Sequence, residues 1–405
     1  MKYLIETSKA VNINRNKILI MGMLVQLTSG ILYAWSIIQP FVMEHYSLDT
    51  SAASIPFSVN LAVFVVGSIL GGKLQSRFLI QKSLFIGVII NTLGLSLSGL
   101  VPVGAFGLIS ITFGVMSGIG GGIVYNTLIA AMQKYFPDKK GMASGSILCM
   151  IGVSGFIISP LINFLLNHYN LTVMFLVIGL ITLLVGLVGG RFVQNIPEGY
   201  MADYKPADIK VASTSKNYET REMLKTRNYY LISISMFLAV PGFMLINPQF
   251  VLMSPERLIT SAQALTAVMF AAVLQAAGRL LVPSVSDKVG RKATLLVVFI
   301  CSTATILGLV FVKGLLYPIL FVTLAFFYGG FLGTYPALST DYFGTKNAGI
   351  NYGFVMIGFG LASVVCPILV RAVKGTSMGT AMSFAIAGVA TVVGMILLIR
   401  LKKPE

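Results

Sequence analysis

Apolar residues run along this chain in long uninterrupted stretches, with no strict alternation. The first covers residues 18–39 and the last 378–399. Between them further stretches begin near residues 53, 83, 105, 142, 171, 229, 260, 291, 315 and 348, which makes twelve. Each provides the roughly 20 apolar residues that a helix needs to cross a bilayer. A membrane barrel would show short alternating segments of about ten residues instead. The pattern predicts an all-α integral membrane protein of twelve transmembrane helices. No small-residue cleavage site follows the first apolar run, so no cleaved signal peptide is expected.

Composition removes the soluble alternative: 56% of the 405 residues are hydrophobic and 10% are charged, against roughly 25% charged in a soluble domain. The net charge of +16 suggests nucleic acid until its distribution is read. With the N-terminus placed in the cytoplasm, 24 of the 29 Lys and Arg fall in segments on that side, and Arg257, Lys313, Arg371 and Lys374 fall outside. This asymmetry is the positive-inside pattern. It predicts a multi-pass protein of the cell (inner) membrane with both termini cytoplasmic, and no nucleic-acid partner. Glu44, Asp49 and Glu256 fall outside, the other acids in cytoplasmic segments, and His45 and His168 in outer loops. Arg279 alone is left within a span.

The longest polar stretch, 195–228, is expected to be a cytoplasmic linker between an N-terminal six-helix bundle (1–194) and a C-terminal one (229–405). Residues 220–227, TREMLKTR, read equally as a short surface helix or a solvated loop. The halves carry matching loops. YFPDKKGMASG (135–145) follows span four and YFGTKNAGINYG (342–353) follows span ten; GGKLQSRFLIQK (71–82) follows span two and PSVSDKVGRK (283–292) follows span eight. Equivalent loops at one fixed offset are what a duplicated bundle predicts.

SDKVGRK (286–292) resembles the cytoplasmic signature of the major facilitator superfamily, whose Asp and basic residues latch neighbouring helices. Asp287, Arg291 and Lys292 match it. The first-half copy has Ser76 where the Asp is expected. SGILYAWS (29–36), GIVYN (122–126), YFPDKKGMASG, AAGRLLVPSVSDKVGR (276–291) and NYGFVMIGFG (351–360) resemble the oxalate/formate antiporter family, whose relatives include monocarboxylate carriers. The resemblance runs from span one to span eleven. It implies a major facilitator fold and anion transport by alternating access.

Three readings of Arg279 compete: snorkelling to the surface, donation to helix carbonyls, and anion binding. Span eight runs toward the cytoplasm, and Arg279 lies about 12 Å of helix before Asp287. Side chains lean toward the helix N-terminus, here away from the cytoplasm, so snorkelling opposes the geometry. An Arg at this depth is costly unless it faces a wet cavity or a partner, and a carboxylate suits its planar fork. The resemblance also places a substrate-binding arginine here. Gln275, one turn earlier on the same face, orients Arg279, meets the ligand, or only bonds another helix. Tyr33, Trp35 and Tyr125 match family motif positions, and Tyr328 stands where relatives carry an aromatic; each either lines the cavity or packs. Oxalate exchangers of the family carry a second cation, a Lys, in span eleven, where this chain has Phe359. One fixed positive charge matches one carboxylate better than two.

Catalysis has little support, since no acid pair, Ser-His arrangement or metal-spaced His and Cys cluster falls within the spans. GIGGG, inside span four, lacks the preceding strand of a phosphate-binding loop. Gly114, Gly118 and Gly122 share a stripe suited to close helix packing, and Cys149, Cys301 and Cys366 read as small hydrophobes. The expectation is a secondary transporter of a small carboxylate, a monocarboxylate of pyruvate, lactate or formate type. It acts as a monomer in the lipid bilayer and uses no cofactor or metal. The alternatives are an oxalate or dicarboxylate exchanger, an anionic drug exporter, or a membrane sensor that binds the anion without moving it.

Overall fold

In lipid each backbone N–H and C=O must be paired within its own segment, which leaves the helix as the solution for long apolar runs. The computed structural model describes residues 14–196, 200, 216–251, 253–374 and 379–402. Among these residues twelve helical stretches are long and apolar enough to span a membrane. Spans one to six are Arg15–Tyr46, Ile55–Arg77, Ile80–Ser98, Gly107–Tyr135, Lys140–His168 and Leu171–Gly190. Spans seven to twelve are Arg227–Gln249, Ser261–Val289, Arg291–Phe311, Leu316–Phe343, Ala348–Val373 and Ala381–Ile399. Their starts follow the apolar pattern to within a few residues. Alternate ends gather on one side, where Arg77, Lys140, Arg191 and Arg291 stand, and this side is termed the basic end.

Four spans are irregular where the sequence pattern is continuous. Span one is α-helical over Arg15–Thr28 and Trp35–Tyr46, with a 3₁₀ segment, Ser29–Ala34, between them. Span four contains a π-helical segment, Ser110–Ser117. Span seven breaks before Pro241, and span eleven breaks at Met356. Helix interruptions inside a membrane are tolerated where they are buried in protein or line a cavity.

The glycine stripe of span four packs on span two. A Cβ at Gly122 would lie 2.1 Å from the Phe64 carbonyl oxygen, and one at Gly118 would lie 2.9 Å from that of Asn60. The same device joins the halves, among other places at two equivalent positions of the repeat. Gly145 of span five lies against the backbone of Arg279 in span eight, and Gly353 of span eleven lies against Ile69 in span two. Large apolar side chains such as Phe156, Leu180, Val297 and Ile300 point outward and are more than half exposed, as a lipid-facing surface requires. Cys149 and Cys366 are buried, Cys301 is partly so, and all three are free thiols.

Much of the expected linker lies outside the described residues. Its described end forms one helical turn, Thr220–Met223, closed by a capping box between Glu219 and Glu222. Tyr218 Nα donates to the Phe343 carbonyl, and Thr220 Oγ1 to Asn351 Oδ1 at 2.9 Å, which holds this segment on spans ten and eleven.

Candidate functional site: a buried arginine above a closed basic end

Span eight carries Arg279 into the interface with span five, where the residue is 2% exposed. Its Nη2 donates to Gln275 Oε1 at 3.2 Å, one helical turn away on the same face, and its Nη1 donates to the Leu148 carbonyl of span five at 3.3 Å. The second bond needs room, and Gly152 provides it: a Cβ there would stand 2.9 Å from Ala276 Cβ and 3.5 Å from Arg279 Nη1. Gln275, which the sequence left between two roles, is thus a partner of the arginine.

Arg279 sits on the wall of a cavity of about 50 Å³ between the halves, several times the 10–15 Å³ that one water needs. Among the described lining residues Arg279 carries the charge, and Ser29 and Tyr125 carry hydroxyls. The rest are Leu, Ile, Met and Phe from spans one, two, five, seven, ten and eleven, including Phe64, Met236, Met356 and Phe359. The broken segments of spans one and eleven therefore both reach this cavity.

The structure brings together Arg279, Gln275, Tyr125 and Phe359. Trp35 is placed elsewhere, stacked on Phe113 with ring centroids 4.4 Å apart in the core of the first half. Tyr328 packs on Phe243 at 4.9 Å and is not among the lining residues. The Tyr33 side chain lies outside the described residues. Tyr352, which the sequence reading passed over within its NYG motif, sits beside the cavity, with its hydroxyl 3.1 Å from that of Tyr125 across the halves.

Below the cavity the halves are joined toward the basic end. Asn126 Nδ2 donates to the Gly349 carbonyl at 2.7 Å, and Thr340 Oγ1 donates to Gln133 Oε1 at 2.5 Å. Further down, Asp287 accepts from the backbone N–H groups of Gly141 and Met142 at 2.9 and 2.8 Å. A carboxylate at the first turn of span five satisfies otherwise unpaired donors and faces the positive end of the helix dipole. Arg291 bridges Asp287 at 2.5 Å and Asp341 at 3.0 Å, and Lys140 reaches Asp341 across the halves at 2.9 Å. Lys292 does not join this cluster; its Nζ caps the carbonyls of Ile399 and Leu401 at the end of span twelve. In the first-half copy Ser76 bonds only its own helix, at the Lys73 carbonyl.

Lys140 and Asp341 are the residues of this cluster that sequence reasoning missed. Both were assigned to cytoplasmic segments without a partner, and the structure places each in a terminal turn of its span, with side chains 13% and 3% exposed. The available signal was their place in the paired loops, Lys140 within YFPDKKG and Asp341 directly before YFG.

Comparison with known proteins agrees with this architecture. The family model of the Major Facilitator Superfamily matches residues 18–349 and 232–405. The chain is 22% identical over 351 residues to the uncharacterized MFS-type transporter YhjX of Escherichia coli, covering 85% of each. It is 25% identical over 349 residues to the oxalate:formate antiporter of Oxalobacter formigenes, covering 84% of this chain and 80% of that one. Monocarboxylate transporter 13 of Bos taurus is 28% identical over 145 residues, 35% of this chain and 33% of that one. Among solved structures, the transporter FucP in its outward conformation superposes with a TM-score of 0.71 at 15% identity, covering 95% of this chain and 98% of that one. A bacterial homologue of the iron transporter ferroportin in its outward-facing state gives 0.72 at 13% identity, covering 96% and 98%.

Proposed function

Since the chain belongs to the Major Facilitator Superfamily and is a multi-pass membrane transporter, we propose that its cargo is a small carboxylate, a monocarboxylate of pyruvate, lactate or formate type, with Arg279 as the anchor. The observation that carries this reading is the buried Arg279 on the wall of a small, largely apolar cavity that also bears the hydroxyls of Ser29 and Tyr125. Two of its hydrogen bonds run to neutral acceptors at 3.2 and 3.3 Å, and a carboxylate is a stronger acceptor for a guanidinium than either. The oxalate:formate antiporter and the monocarboxylate transporter among the relatives support the same class.

The mechanism follows from where the Leu148 bond lies. Arg279 belongs to the second half and Leu148 to the first, so a carboxylate that takes over Nη1 removes a bond between the halves at the cavity wall. Binding then loosens the contact between spans five and eight, and the halves rock to open at the basic end. The empty carrier keeps the bond and does not cycle, which favours exchange of one anion for another. Gln275 holds the guanidinium plane while Nη1 changes partner. With the basic end in the cytoplasm, as the charge pattern implies, the state described here is shut toward the cell interior.

The test is uptake of labelled pyruvate, lactate, formate and oxalate into proteoliposomes, with and without internal counter-anion, by the wild type and by Arg279→Lys. The expected result is monocarboxylate exchange that the variant largely loses. Uptake of none of these anions by the wild type overturns the reading.

A further inference from the structure

A serine or threonine hydroxyl inside a helix can return to a carbonyl about one turn back, and two neighbours of the cavity do so. Thr28 Oγ1 of span one donates to the Val25 carbonyl at 2.9 Å, and Ser154 Oγ of span five donates to the Ile151 carbonyl at 2.7 Å. Ser29 differs. It opens the 3₁₀ segment of span one and lines the Arg279 cavity, and among the described residues its hydroxyl has no hydrogen-bond partner.

Contacts on span five bring this segment and Arg279 to the same place. A Cβ added at Gly30, next to Ser29, would overlap Ser154 Oγ and stand 3.3 Å from the Ile151 carbonyl oxygen. Arg279 meets the same helix at the Leu148 carbonyl and beside Gly152. Leu148 and Ile151 both line the cavity. One turn of span five, about 5.4 Å long, therefore carries the contacts of both. The other hydroxyl on the cavity wall, that of Tyr125, is engaged with Tyr352.

We propose that Ser29 reads the oxygen on C2 of the cargo, so that the site selects 2-oxo and 2-hydroxy acids over acids that carry only hydrogen there. This deepens the carboxylate reading above and rests on it; within that class it favours pyruvate and lactate over formate. With the carboxylate on Arg279, the nearest further substituent of a short acid is the one on C2. A serine hydroxyl can donate to a keto oxygen, and can donate to or accept from a hydroxyl. The Leu, Ile, Met and Phe side chains of the wall receive the methyl group. Propionate has the same carbon chain and no C2 oxygen, so it closes Ser29 Oγ off from water without a partner. A site built to bond a polar group of its ligand discriminates against the analogue that lacks it.

Exchange of labelled pyruvate and of labelled propionate by the full chain in proteoliposomes tests this, in the wild type and in Ser29→Ala. In the wild type the KM for propionate should exceed that for pyruvate at least about fivefold, the scale of one uncharged hydrogen bond. Ser29→Ala should raise the KM for pyruvate and not that for propionate, which brings the two together. A merely structural role would move both acids alike, so the change in their ratio isolates the contact between residue 29 and the C2 oxygen. A ratio that Ser29→Ala leaves unchanged overturns the inference, and so does an equal loss of exchange for both acids. If Ser29→Ala is not monodisperse, Ser29→Cys takes its place and is read in the same way, since a thiol is a weak donor and acceptor. A wild type that exchanges both acids without preference overturns this inference and leaves the carboxylate reading standing. One that exchanges neither these two nor any other small carboxylate overturns both.

Discussion

Arg279 and Leu148 belong to different halves of the molecule, and the 3.3 Å bond from the Arg279 Nη1 to the Leu148 carbonyl joins them at the cavity wall. On the reading proposed above, the group that recognises the cargo is also a fastener between the bundles. That reading links ligand occupancy and opening through one donor.

Arg279→Lys keeps the charge and loses the planar fork. A hydrogen bond to a charged group contributes about 1.5–3 kcal/mol, so carboxylate affinity should fall roughly 10- to 100-fold. Arg279→Ala should abolish exchange. Competition assays and counter-flow in proteoliposomes give both numbers; near-normal flux in a monodisperse Arg279→Ala protein removes the anchor.

Gly152→Ala places a methyl group 2.9 Å from Ala276 Cβ, beside the guanidinium. Spans five and eight must separate by a few tenths of an ångström, which lengthens the Leu148 bond. The KM for carboxylate should change severalfold. Gly104→Ala, where nothing lies within 4 Å, should leave transport at the wild-type value and serves as the control.

Asp341→Ala leaves Lys140 and Arg291 without the carboxylate they share. Breaking a buried ion pair by removing one partner costs about 3–5 kcal/mol, so the apparent Tm in detergent should drop by several degrees. The basic end should also open more readily, read as faster labelling of a cysteine placed at Gly349. An unchanged Tm together with unchanged labelling would show that the cluster does not hold this end shut.

Phe359→Lys returns a second cation to the cavity wall, where Phe359 is now 7% exposed. Burying an unpaired second carboxylate is unfavourable by several kcal/mol, so the wild type should bind oxalate at least roughly tenfold worse than pyruvate. The variant should shift that ratio toward oxalate, with some loss of total activity from lost ring packing. The ratio of competing concentrations measures it, and a fixed ratio in a well-folded variant sinks Phe359 as the selectivity position.

Among the described lining residues of the cavity none is Asp, Glu or His. Proton symport uses a titrating group along the path, so internal counter-anion should stimulate uptake strongly. A pH gradient acting alone should not drive it uphill, unless the cargo itself carries the proton.

The spans, their number and the place of Arg279 inside one of them were legible in the sequence because they rest on one-dimensional quantities. Apolar run length sets the helices, and a lone charge within such a run stands out without reference to anything distant. The glycine stripe of span four was legible for a similar reason: a spacing of four keeps Gly114, Gly118 and Gly122 on one face of a single helix. The family motifs carried the rest of the architecture, since SDKVGRK and its neighbours are local strings.

Only the tertiary structure decided which half each polar group meets. Trp35 and Tyr125 both stand in quoted motifs, yet the first stacks on Phe113 in the core and the second lines the cavity. A helical face has no meaning until a neighbour occupies it. Lys140 and Asp341 looked solvated because a residue in the terminal turn of a span resembles a loop residue until another helix end covers it. The place of Ser29 on the cavity wall was equally invisible, because the surroundings of a polar residue in an apolar run are set by the helices packed against it. Distances along the chain placed the charges at a depth in the membrane; packing between halves, which joins residues as far apart as Gln133 and Thr340, assigned them their partners.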